Sequence, residues 1–117
     1  MHPFDLNVEK EFKSEKHVEK ILGQFAEGDV TVACWEPGQI SPYHAHLEAT
    51  EIYFCYQGGG VMTTDDGKID IVPGSFVVHP QGEFHEYENG PELTLLFRVR
   101  YGGMKNSTRR HWRGHED

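Results

Sequence analysis

The sequence predicts an all-β domain, a small sandwich or barrel of short strands. Two observations predict it. Turn-forming residues recur at short, even spacing: Pro37-Gly38, Gly58-Gly59-Gly60, Asp65-Asp66-Gly67, Pro73-Gly74, Pro80-Gln81-Gly82 and Asn89-Gly90-Pro91. The runs between them are brief and rich in β-branched and aromatic residues, as half-buried strands are. The length, 117 residues, gives room for one domain with a modest core, and the chain contains no internal repeat.

Taken in order, residues 1–15 are polar with alternating charge (Glu9, Lys10, Glu11, Lys13, Glu15) and read as an arm with a short strand at residues 6–8. Residues 16–25 satisfy two periods. Val18, Ile21, Leu22 and Phe25 fit a helical stripe, but the turn Ala26-Glu27-Gly28-Asp29 and the β-prone run 30–35 favour a hairpin. Residues 1–28 are therefore the arm and first strand, and 29–101 the barrel. Residues 92–101 (ELTLLFRVRY) read as the last and longest strand. Leu93, Leu95, Phe97 and Val99 share one face, and Thr94, Leu96, Arg98 and Arg100 the other. Residues 102–117 turn polar and basic, with Arg109, Arg110, His111, Trp112 and Arg113 in a row. They read as a solvated tail. The alternative is that Trp112 docks on a neighbouring subunit or over the barrel mouth.

The chemistry concentrates between Gly38 and Gly58. His44 and His46 sit two apart, which on a strand aims both imidazoles at one side. Glu51 follows at the head of the run Ile52-Tyr53-Phe54-Cys55-Tyr56, and His85 comes later, just past a Pro/Gly turn. Imidazoles with a carboxylate suit a divalent transition metal. Gly38, His44, His46, Glu51 and Gly58 fill every place of the first cupin motif, and Gly74, Pro80, Gly82, His85 and Asn89 every place of the second. Across residues 38–89 the chain thus resembles the cupins. The resemblance implies a single-domain double-stranded β-helix (jelly-roll) barrel with His44, His46, Glu51 and His85 as metal ligands, and it points to a homodimer. It implies no particular reaction, because one fold hosts many.

Alternation in a barrel sends Tyr53 and Cys55 inward with Glu51, and Tyr87 and Asn89 inward with His85. Glu86 and Glu88 then face outward. Tyr53, Tyr87 and His79 are the candidate catalytic residues, His79 because it ends a run on the mouth side and titrates near neutrality. Arg98 and Arg100 would pair with surface acids on the outer face, or hold an anionic substrate. Four protein ligands on an octahedral ion leave two positions for water, O₂ or a chelating keto acid, hydroxy acid or diol. Iron or manganese is favoured, with nickel, zinc, cobalt and copper compatible. The expected function is a dioxygenase-like oxidoreductase acting on such a metabolite. The alternatives are a redox-neutral isomerase or lyase and a non-catalytic binding protein, and the chain offers no output domain for a sensor.

Composition narrows the partners. A net charge of −8, from 19 acidic and 11 basic residues, argues against nucleic acid or an anionic membrane. Cys34 and Cys55 lie in apolar runs outside any CxxC pattern and read as buried free thiols, with a bridge between them the lesser alternative. With no apolar leader at the N-terminus, a cytoplasmic protein is expected.

Overall fold

The computed structural model describes residues 1–102 and 108–109, whose regular structure is almost all β-strand. The short helix α1 (Leu6–Glu9) precedes ten strands: β1 (Val18–Phe25), β2 (Gly28–Trp35), β3 (His44–Ala45), β4 (Ala49–Gln57), β5 (Gly60–Thr64), β6 (Gly67–Ile71), β7 (Phe76–His79), β8 (His85–Asn89), β9 (Thr94–Gly102) and β10 (Thr108–Arg109). They form two five-stranded antiparallel sheets, ordered β1-β2-β9-β4-β7 and β10-β3-β8-β5-β6. This is the double-stranded β-helix that the resemblance implied.

Residues 16–25 resolve as strand. β1 pairs with β2 from Val18↔Cys34 to Phe25↔Gly28, so partner strands override the helical stripe. Residues 6–8 are helical instead of extended. Asp5 caps α1 by accepting from the Asn7 backbone N–H at 2.9 Å, a local bond that decides the conformation of a segment with no neighbouring strand. Of the tail, Thr108–Arg109 pairs with β3, while Trp112 and the rest of the basic run lie outside the described residues.

Alternation along the large sheet builds the interior in layers. On β4, Glu51, Tyr53 and Cys55 are buried, and between them Ile52 and Phe54 are only partly so. Tyr53 faces Arg98 across β9, Cys55 faces Leu96, and Arg98 faces Thr31 on β2. The deep layer is apolar: Ala33, Trp35, Cys55, Met62, Ile71, Tyr87 and Leu96. The layer above it is polar, with Asp29, Thr31, Glu51, Arg98 and Arg100 all buried. On the opposite face of the large sheet Val32, Cys34 and Leu95 form a second cluster, covered by Leu6, Phe12, Val18 and Leu22. The arm and first strand therefore seal part of the sheet's outer side. Both cysteines are buried and free.

Two positions differ from expectation. Arg98 and Arg100 point into the barrel, 2% and 9% exposed, because Asp29 and Thr31 on β2 meet them there. Glu86 alternates with His85 and Tyr87 as expected but is buried, whereas Glu88 is exposed. Two turns need glycine. Gly58 has φ +80°, and a Cβ there would lie 2.2 Å from Thr94 Oγ1 and 2.5 Å from Leu93 O. Gly82, also at φ +80°, reverses the chain just ahead of His85.

Candidate metal centre

Three strands deliver the candidate ligands to one end of the barrel. His44 on β3 is the cross-strand partner of His85 on β8. Glu51 on β4 lies between His79 on β7 and Arg100 on β9. One donor atom each from His44, Glu51 and His85 falls within 4.8 Å of the others. His46, just past β3, brings its Nε2 to 3.4 Å from Glu51 Oε2. It meets the cluster through Glu51 but lies outside that tightest group.

The donor atoms are prepared for a ligand outside the chain. His44 Nδ1–H donates to Pro42 O at 2.8 Å, and His85 Nδ1–H donates to Glu83 O at 3.1 Å. Each bond fixes a tautomer and leaves Nε2 with a lone pair. Glu51 Oε1 and His85 Nε2 are 3.1 Å apart, yet both are buried without a hydrogen bond. Orphaned buried atoms of this kind are costly unless something else satisfies them. Charge state agrees. Burial, and next His85, hold His44 neutral down to about 4. Burial opposes ionisation of Glu51, but the attraction of His85, His46 and Arg98 outweighs it and keeps the carboxyl at about 2. A neutral His44 beside an ionised carboxylate is what a divalent cation binds, so the donor set fits a metal ion.

The candidate catalytic residues separate. Tyr53 stands beside the cluster, its hydroxyl 3.4 Å from Glu51 Oε2 and its ring 6.0 Å from that of His85. Burial, and next the charge of Glu51, push that hydroxyl far above its usual range, so it stays a phenol. His79 stacks on His85, with ring centroids 3.8 Å apart and planes within 5°. Its Nδ1–H donates to Glu83 Oε1 at 2.8 Å, and its buried Nε2 has no hydrogen-bond partner. Burial, and next His85, lower its pKa to about 3. Tyr87 is elsewhere: it packs edge-on against Trp35 in the apolar layer and donates to Asn89 Oδ1 at 2.8 Å. Of the two tyrosines expected near the metal, one stands at the site and one beneath it.

A cavity of about 670 Å³ opens beside the cluster, lined by His44 and His46, by Arg98 and Arg100, and by Lys16 and Glu19 from the arm and first strand. Sequence reasoning missed Glu19. Its signal was present: β1 pairs with β2 so that Glu19 stands opposite Ala33, an interior position.

Comparison with known proteins places the chain in context. A family model described as a cupin domain matches residues 31–97, more than half the chain. Over 62 residues the chain is 29% identical to gentisate 1,2 dioxygenase 1 of Aquipseudomonas alcaligenes, covering 52% of this chain and 18% of that protein. It therefore spans less than a fifth of that relative's length. A crystal structure of a conserved Klebsiella pneumoniae protein with a double-stranded β-helix domain superposes with a TM-score of 0.86 at 17% identity, covering 96% of this chain and 99% of that one. A putative sugar phosphate isomerase of Acidithiobacillus ferrooxidans superposes with a TM-score of 0.66 at 27% identity, covering 73% and 58%.

Proposed function

The chain belongs to the cupin domain family, and from that premise we propose that it is a metal-dependent enzyme, dioxygenase-like, acting on a small keto acid, hydroxy acid or diol. The observation that carries the reading is the set of buried, unsatisfied donor atoms on Glu51 and His85, with His44 beside them and a cavity at their side. In this reading His44, Glu51 and His85 hold the ion and His46 completes the set. When bound, a divalent iron or manganese ion supplies Lewis-acid and redox chemistry.

The chain's own residues do the rest. Tyr53 donates to Glu51 Oε2 and fixes the rotation of that carboxylate. One inward pair below Thr31, Arg98 and Tyr53 comes the apolar layer of Ala33, Leu96 and Cys55. His79, its tautomer fixed by Glu83, keeps a neutral Nε2 beside His85, and its pKa of about 3 makes it a weak proton acceptor at neutral pH. A second reading is a redox-neutral isomerase or lyase in which Tyr53 steadies the ligand set. The gentisate dioxygenase match supports the first reading, and the structural likeness to a putative sugar phosphate isomerase supports the second. Oxygen uptake by iron-loaded protein on a panel of keto acids, hydroxy acids and diols separates them. Uptake stoichiometric with substrate loss supports the dioxygenase. Equal turnover under strict anoxia contradicts it and favours the second.

A further inference from the structure

Acidic residues outnumber basic ones 19 to 11 in this chain. The cavity beside the candidate metal centre reverses that balance, lined by Lys13, Lys16, Arg98 and Arg100 against the single acid Glu19. Such a concentration of positive charge is a device for an anion. Two of the four are built in rather than incidental. Arg98 and Arg100 are buried, and the Nε of each lacks a hydrogen-bond partner.

Arg98 occupies the central position. Its Nη2 donates to Thr31 Oγ1 at 3.2 Å, and Nη1 lies 3.4 Å from Glu19 Oε2 and 3.7 Å from Glu51 Oε2. One guanidinium thus connects a carboxylate of the candidate ligand set to a carboxylate on the cavity wall. The two differ in freedom: the Glu51 side chain is 1% exposed, that of Glu19 is 44% exposed. His17 Nε2, 3.3 Å from Glu19 Oε1, holds the latter from the rim side.

We propose that the cavity takes a small carboxylate anion on Arg98, flanked by Lys13 and Lys16, and that Glu19 fills this seat in the empty protein and leaves it when the anion arrives. A carboxylate is the class selected because a carboxylate already sits there and the planar guanidinium fork matches that group. A volume of about 670 Å³ accommodates a small aromatic or aliphatic acid. The proposal rests on the reading of this cavity as the substrate's, and it assigns the substrate's anionic end to Arg98.

The probe is benzoate, which is a poor chelator, with benzyl alcohol as its uncharged counterpart, titrated calorimetrically into chelator-treated protein. Using metal-free protein keeps the test independent of the ligand set: benzoate binding with no metal uptake elsewhere sinks the metal reading alone. Benzoate is expected to bind at least about tenfold more tightly than benzyl alcohol. Glu19→Gln should tighten benzoate binding by about fivefold, because the internal competitor loses its charge, while Lys16→Gln weakens it by about threefold and Arg98→Lys by tenfold or more. Glu19→Gln and Lys16→Gln alter exposed side chains, so the test survives if Arg98→Lys fails to fold. Equal affinity for acid and alcohol, no tightening in Glu19→Gln, or inorganic phosphate binding in preference to benzoate overturns the proposal.

Discussion

Asp29→Ala tests the inward setting of the two arginines. The Asp29 side chain has no exposure; it accepts from Arg100 Nη2 at 2.9 Å and from Thr31 Oγ1 at 3.0 Å, with Arg98 Nη2 at 3.7 Å. Arg98 also lies near Glu19 and Glu51, but for Arg100 Asp29 is the ion-pair partner the structure shows. Removing one member of a buried pair strands the other and costs about 3–5 kcal/mol. The Arg100 side chain is 11% exposed at the cavity wall, where water relieves part of that charge, so the lower end, about 3 kcal/mol, applies. Against a domain stability of about 5–15 kcal/mol the variant still folds. Urea unfolding reads the change, and with a slope near 2 kcal/mol/M the midpoint falls by roughly 1.5 M. Adding Arg100→Leu to Asp29→Ala removes the stranded charge and returns on the order of 2 kcal/mol. A single-variant loss below about 1 kcal/mol, or a double variant less stable than the single one, refutes the reasoning.

Metal-free protein should lose stability as pH falls below 6.5. His44 and His79 remain neutral in the folded state down to about 4 and about 3, whereas their unfolded side chains protonate near 6.5. Unfolding near pH 5 therefore takes up almost two protons at these sites, a slope of roughly 2.5 kcal/mol per pH unit. Glu51, held at about 2, adds to the loss below 4.5. Urea midpoints unchanged between pH 7 and pH 5 would contradict this. Gly58→Ala should cost at least about 2 kcal/mol in the same assay, from positive φ and the clash with Thr94 and Leu93, and a near-neutral result would deny the close approach. The outer face of β4, β7 and β9 aligns Phe54 with Phe76 and Phe97, and Ile52 with Val78 and Val99; Phe76 is 60% exposed. An apolar face of this kind predicts self-association, so light scattering should report a dimer that Phe76→Asp dissociates, and a monomeric parent protein at micromolar concentration would reject it.

The convergence of His44, Glu51 and His85 on one end of the barrel was legible in the spacing of the two motifs, with Gly82 setting the turn that presents His85. His46 lies just past β3 and meets the cluster through Glu51. The arginines were not legible. On β9 the row Leu95, Phe97 and Val99 is wholly apolar, so hydrophobicity alone turns Arg98 and Arg100 outward. What turns them inward is the pairing of β9 with Asp29 and Thr31 on β2, about seventy residues away, and the polar mouth of a barrel that tolerates buried charge where it is matched. Residues 6–8 failed for the opposite reason: a single capping bond from Asp5 outweighs a weak extended preference.

The central claim is that His44, His46, Glu51 and His85 hold one divalent cation. The direct test is elemental analysis of freshly purified protein after a metal-free buffer exchange, with the His44→Ala/His85→Ala double variant prepared in parallel. His17→Ala is the control, since His17 stacks on Trp35 and is not among the clustered donors. About one transition-metal ion per chain is expected in the parent protein and in His17→Ala, and little in the double variant. Metal content undiminished in the double variant, with its fold intact by circular dichroism, would contradict it.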